Sequence, residues 1–190
     1  MNEKEKRITP TGKAKWAHLV TPKQTVIDGK SVGDPKYQID VVFDPKDPEW
    51  VKWLEDLTGK LKVLPVQIDK RTGEPLKKRN PIKRELDSTD EPTGKYYITF
   101  RTSDKFKPPI FDTYGREIKA SVGNGSKVKV AYTENTYVAF GGGISLYLNA
   151  VQVIELVEFV PRSAQFYGFD VEPLPEEELL VSSDSELNPF

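Results

Sequence analysis

The sequence predicts a mainly β fold, a small barrel plugged by a single helix, on three observations. Apolar and polar residues alternate along several separate segments, one segment alone switches to helical spacing, and the chain closes on an acidic stretch with too little apolar content to pack.

The first candidate strand is AKWAHLV, near the N-terminus. In KYQIDVVF, Tyr37, Ile39, Val41 and Phe43 point one way, as the inward side of a half-buried strand must. The segment DPEWVKWLEDLTGKL is the exception: Asp47 is placed to cap a helix, Pro48 fits its first position, and Trp50, Trp53, Leu54, Leu57 and Leu61 recur at helical spacing, with Gly59 near the end. KYYITFRT restores alternation, with Tyr96, Ile98 and Phe100 opposed to Lys95, Tyr97, Thr99 and Arg101. SKVKVAY sets Val128, Val130 and Tyr132 against Lys127 and Lys129, and GISLYLNAVQVIELV is a long β-rich run expected to bend or bulge near Asn149. About five twisted antiparallel strands and one amphipathic helix match the OB-fold, a small antiparallel Greek-key barrel; a β-sandwich is the competing architecture.

Residues 1–169 are expected to form this one domain, with a basic loop near 69–92, and residues 170–190 a disordered acidic tail ending in Phe190. Of 28 bases and 29 acids, seven acids and no base fall in the tail, which leaves the body 28 against 22, a net charge near +6. Such a body invites a polyanionic partner. Without cysteine, thiolate metal sites, disulfides and cysteine nucleophiles are excluded, and His18, the only histidine, cannot supply a two-histidine zinc site. His18 is read as structural. The N-terminal MNEKEKRITP lacks the apolar run of a secretory signal and no stretch has the ~18 apolar residues of a membrane span, so a soluble cytoplasmic protein is expected, with no membrane partner.

Seven bases, Lys70, Arg71, Lys77, Lys78, Arg79, Lys83 and Arg84, surround the single acid Glu74. Density of that kind attracts phosphates by counterion release, though a solvated loop explains it as well. Interleaved rings sharpen the reading. Trp16 sits beside Lys13 and Lys15, Tyr97 shares a strand face with Lys95 and Arg101, Phe106 lies between Lys105 and Lys107, and Tyr114 is near Arg116. Flat rings accept stacked bases of any sequence while neighbouring cations follow the backbone, which is single-strand chemistry; in a duplex the base faces are hidden. The candidate DNA contacts are therefore Lys13, Lys15, Trp16, Lys77, Lys78, Arg79, Lys83, Arg84, Tyr97, Arg101, Lys105, Phe106 and Arg116. Trp50 and Trp53, on the helix stripe, belong to the core. Asp40, Asp44, Asp47 and Glu49 make a weak magnesium cluster for a nuclease, since Asp47 has a simpler role as cap and Asp40 alternates outward. The glycines of VGNGSK and FGGGIS lack Walker spacing and read as turns. No cofactor and no enzymatic activity are expected.

The order of AKWAHLVTPK, KYQIDVVFDP leading into the Trp-bearing helix, GSKVKVAYTENTYV, GGISLYLNAVQVIELVE and an acidic tail closing on Phe190 resembles the single-stranded DNA-binding proteins of podophage type. The resemblance covers nearly the whole chain. It implies an OB-fold protein of phage DNA replication, recombination and repair that coats single strands, forms a homodimer, and uses its tail to engage a replicative DNA polymerase and a helicase or primase. In that reading Glu176, Glu177, Glu178, Asp184, Glu186 and Phe190 meet the protein partner, and the tail shields the DNA groove until a strand displaces it. A phage structural or scaffold protein is the alternative class.

Overall fold

The computed structural model describes residues 6–158 and Gly168. The tail residues named above, and the aromatic group Phe166, Tyr167 and Phe169, lie outside the described residues. Residues Met1–Phe159 group into one unit; of Val160–Phe190, only Gly168 is described.

Among the described residues, ten strands and one α-helix occur in the order β1 Lys6–Ile8, β2 Gly12–Lys23, β3 Val26–Ile27, β4 Lys30–Ser31, β5 Lys36–Phe43, α1 Pro48–Val63, β6 Ile82–Leu86, β7 Pro92–Ser103, β8 Ile110–Phe111, β9 Lys127–Tyr137 and β10 Gly143–Glu155. Five of them close a ring: β2 pairs with β5, β5 with β7, β7 with β10, β10 with β9, and β9 returns to β2. This is the OB barrel expected from the pattern. It is not purely antiparallel: β10 runs parallel to β7, with Tyr147 beside Arg101, and parallel to the short β8.

The interior follows the alternation. Ile39, Val41, Ile98, Phe100, Val128, Val130, Tyr132 and Val151 are fully buried. At Asn149, β10 shifts register against β9 between Leu148 and Ala150, the bulge the sequence leads one to expect, and the Asn149 amide donates to Thr133 Oγ1 at 2.7 Å.

Helix α1 plugs the barrel. Asp47 Oδ1 accepts from Glu49 N at 2.9 Å and Pro48 starts the helix. Trp50 stacks on Phe43 with ring centroids 4.1 Å apart and donates its indole N–H to the Thr11 carbonyl. Trp53 donates to Tyr132 Oη at 2.8 Å. The burial of Trp50 requires a bare backbone at Gly12, where a Cβ would lie 2.4 Å from Val41 Cγ1 and 3.2 Å from the Trp50 ring. The helix does not stop at Gly59 but runs on to Val63. Its exposed carbonyl end is met by a distant side chain: Lys78 Nζ donates to the carbonyls of Leu61, Lys62 and Leu64. A cation there opposes the helix dipole.

Five strands lie outside the alternating segments read from the sequence: the two-residue β3, β4 and β8, together with β1 and β6. β1 pairs with β9 and runs into β2 through Thr9, Pro10 and Thr11, where proline lacks the N–H to continue the ladder. β6 lies inside the segment expected to be a basic loop and pairs with β7. The rest of that segment is an irregular hairpin, with Ile68 bridged to Pro75, that rejoins the barrel where Arg79 N donates to the Gly142 carbonyl. Gly141, at φ +89°, lets this crossing pass close: a Cβ would sit 2.6 Å from the Lys77 carbonyl.

Candidate nucleic-acid interface

Burying Ile39, Val41 and Phe43 turns Gln38, Asp40 and Val42 to the outside of β5, and burying Ile98 and Phe100 does the same for Tyr97, Thr99 and Arg101 on β7. Strand register then sets these side chains in rows. Lys13, Val42, Tyr97 and Lys83 form one row across β2, β5, β7 and β6; Lys15, Asp40 and Thr99 the next; His18, Gln38 and Arg101 the third. One outer face of the barrel therefore collects bases from three strands around Tyr97.

Trp16 joins this face through a backbone irregularity. Between Lys15 and His18, β2 carries an extra residue against β5, and Trp16 itself adopts φ +50°. A bulged residue in the left-handed region is unusual for a tryptophan and re-aims its side chain. The conformation is held by Asn124, whose Oδ1 accepts from Trp16 N at 2.9 Å, and it leaves the ring 58% exposed. Three hollows meet at this ring. One of about 340 Å³ is lined by Trp16, Lys23, Asp40, Lys83, Tyr97 and Arg101. A second, about 540 Å³, extends past Lys15 toward Glu85, Asp87 and Asp90, and a third, about 430 Å³, lies between Trp16, His18 and the Val122–Asn124 turn.

The charges on the face are unevenly paired. Lys15 forms an ion pair with Glu85 at 2.9 Å; burial would raise the Glu85 carboxyl, but its bonds from Lys15 and Thr93 bring it below the usual range. Lys83 stands over the Tyr97 ring, 5.7 Å from its centroid. Burial pushes the Asp40 carboxyl above its ordinary value, against a hydrogen bond from Thr99 and the fields of Arg101, Lys83 and Lys23. Burial and the neighbouring Lys23 hold the His18 imidazole below its ordinary value, against the field of Asp40. His18, read from the sequence as structural, lines the hollow beside Trp16.

Among the candidate contacts, the structure brings Lys13, Lys15, Trp16, Lys83, Tyr97 and Arg101 together on this face. Arg84, on β6 and paired with Tyr96, lines the second of the three hollows with Lys15, Trp16 and Asp40. The structure separates the others. Lys78 is engaged at the end of α1, while Lys77 and Arg79 are exposed alongside the β9–β10 turn. Lys105 and the exposed Phe106 sit on the turn after β7. Arg116 is bound to Asp112 at 2.7 Å and covers Tyr114. The acidic residues weighed as a metal site are used locally: Asp44 accepts from Lys46 N and Asp47 caps α1. Among the described residues no three acidic or histidine side chains converge, and no helix is long and apolar enough to cross a membrane.

Several residues on or beside the face were not singled out from the sequence. Lys23 ends β2 and lines the hollow with Arg101, and Gln38 and Thr99 form its floor. Tyr147, outward on β10, adjoins Arg101, and Phe140, at φ +55° in the β9–β10 turn, is 81% exposed. Alternation already placed Gln38 outward; the placement of Lys23, Tyr147 and Phe140 depends on barrel closure, which no local pattern encodes.

No protein-family model matches the chain, and no curated protein matches it. Among solved structures it is similar to gp2.5, a single-stranded DNA-binding protein encoded by bacteriophage T7, with a TM-score of 0.59 at 19% identity over 91% of this chain and 98% of that one. It is also similar to the single-stranded DNA-binding protein of bacteriophage Enc34, as a C-terminal truncation (TM-score 0.54, 20% identity, 80% of this chain and 87% of that chain). The same Enc34 protein in complex with single-stranded DNA gives a TM-score of 0.53 at 18% identity, covering 80% of this chain and 88% of that chain. At these identities what is shared is the fold. The chain therefore adopts the OB-type fold of phage single-stranded DNA-binding proteins, the fold its sequence pattern predicts.

Proposed function

We propose that this protein binds single-stranded DNA without sequence preference and without catalysing a reaction, as an accessory of phage DNA replication, recombination and repair. The observation that carries the reading is the exposed Trp16 ring, held out at a strained bulge beside Tyr97 and the cations Lys23, Lys83 and Arg101. Outer strands of this kind are where OB barrels take oligonucleotides. Stacking on each ring contributes ~1–3 kcal/mol and needs an unpaired base, so a duplex gains only the phosphate attraction. The Enc34 protein, similar in fold, forms a complex with single-stranded DNA.

The test is affinity as a function of salt for an oligo-dT and a duplex of equal length. Single strands bind more tightly, and replacing Lys23, Lys83 and Arg101 together by alanine flattens the slope of log affinity against log salt by about 2, at ~0.7 for each lost phosphate contact. An unchanged slope, or equal binding of the duplex, contradicts the reading.

The acidic ending extends it. Seven acids on residues 170–190 oppose a body near +6, which supports a tail that occupies the groove until a strand, with its denser charge, displaces it. Freed, Glu176–Glu178, Asp184, Glu186 and Phe190 combine negative charge with one apolar anchor, a pairing suited to a basic-rimmed pocket on a polymerase or helicase. Deleting residues 170–190 then strengthens binding to oligo-dT at low salt; weakened binding rules out the shielding role.

A further inference from the structure

The middle of the cationic face is occupied by an acid. Asp40 stands between Lys15 and Thr99 in register and borders both hollows that contain the Trp16 and Tyr97 rings. Its carboxylate takes no part in the ion pairs formed among the described residues; Lys15, directly across, reaches Glu85 instead. Thr99 hydrogen-bonds the carboxylate, yet Oδ1 is buried with no partner. An incompletely satisfied carboxylate is costly to bury, and a surface serving only to attract polyanions would be improved by its removal.

We propose that Asp40 is the specificity determinant of this groove. It repels phosphate from the floor and so fixes a single strand with bases turned inward, against Trp16 and Tyr97, and phosphates held at the rim by Lys23, Lys83 and Arg101. The inference rests on the single-strand reading above. Its physical basis is the contrast between the two parts of a nucleotide. A phosphate over the floor meets a like charge in a poorly screened setting, where Coulomb interactions are several times stronger than in water. A base is neutral, stacks on the rings, and offers N–H donors that a carboxylate accepts. Clustered cations attract any polyanion; Asp40 makes the same cluster discriminate.

The experiment compares full-length protein with Asp40→Asn, which keeps the shape and removes the charge, and with Asp40→Ser as a second variant. Affinities for oligo-dT and for inorganic polyphosphate of matched charge are measured at one low salt concentration. Asp40→Asn is expected to tighten polyphosphate binding by roughly tenfold or more and oligo-dT binding by less than about threefold, so that the preference for DNA narrows. Asp40→Ser narrows it in the same direction. Proportional tightening for both ligands would show that Asp40 only lowers the general attraction, and no change for either would show that it does not face the ligand; each result overturns the proposal. Failure of the unaltered protein to bind oligo-dT would sink the functional reading itself, whereas tight oligo-dT binding with an unaltered ratio sinks only the role of Asp40.

Discussion

Two groups of charge on the same barrel use the same residue types to opposite ends. Where β1, α1 and β9 meet, Arg7 bonds both Asp56 at 2.6 Å and Glu134 at 2.5 Å, and Lys60 bonds the same two acids at 2.9 and 2.6 Å. Hydrogen bonds from Lys60 and Arg7 hold the Asp56 carboxyl below the usual range, and burial alone would lower Lys60, yet its two acids raise it. Every charge in that group is satisfied, and the group ties three elements together. On the outer face of β2, β5, β7 and β6, by contrast, Lys23, Lys83 and Arg101 form none of the ion pairs found among the described residues. The tryptophans divide the same way: Trp50 is 1% exposed and Trp16 58%. A residue type therefore carries little functional information by itself. Whether its chemistry is already spent inside the molecule decides what it can offer outside.

Substitutions that cross this divide give the sharpest tests. Trp50→Ala empties a site stacked on Phe43 and is expected to cost about 3–5 kcal/mol of stability by urea unfolding, while Trp16→Ala, on the open face, costs little stability. Comparable losses would erase the distinction between the two regions. Smaller, but more pointed, is Lys78→Met. It removes the donor to three carbonyls at the end of α1 and should lower stability by about 1 kcal/mol, with the salt dependence of DNA binding unchanged. A slope flattened by ~0.7 with stability intact would return Lys78 to the DNA contacts and break the comparison at that residue.

The barrel was legible because burial on one side of a strand imposes a period of two, and KYQIDVVF, KYYITFRT and SKVKVAY obey it residue by residue. The helix was legible through Asp47, Pro48 and its apolar stripe. β6 was not, because IKREL is an edge segment paired along one side only, and its bases mask the weak alternation of Ile82 and Leu86. The interface divides along similar lines. Tyr97 and Arg101 followed from alternation, and Trp16 from its basic neighbours, although nothing local announces the bulge that turns its ring outward. In the run from Lys77 to Arg79, sequence density does not show that alternate side chains face opposite ways, Lys78 toward α1 and its neighbours toward solvent. Asp40 was recognised as outward, but its place at the centre of the bases emerges only when β2, β5 and β7 are laid side by side.

The most direct test of a stacking groove at Trp16 is intrinsic tryptophan fluorescence of the protein and of Trp16→Phe, titrated with oligo-dT and with duplex DNA. Trp50 is enclosed and Trp53 is packed against the core, so the signal change on adding oligo-dT should come from Trp16, disappear in Trp16→Phe while binding persists, and be small with duplex. Quenching of equal size in Trp16→Phe, or from duplex as from single strands, would contradict the account.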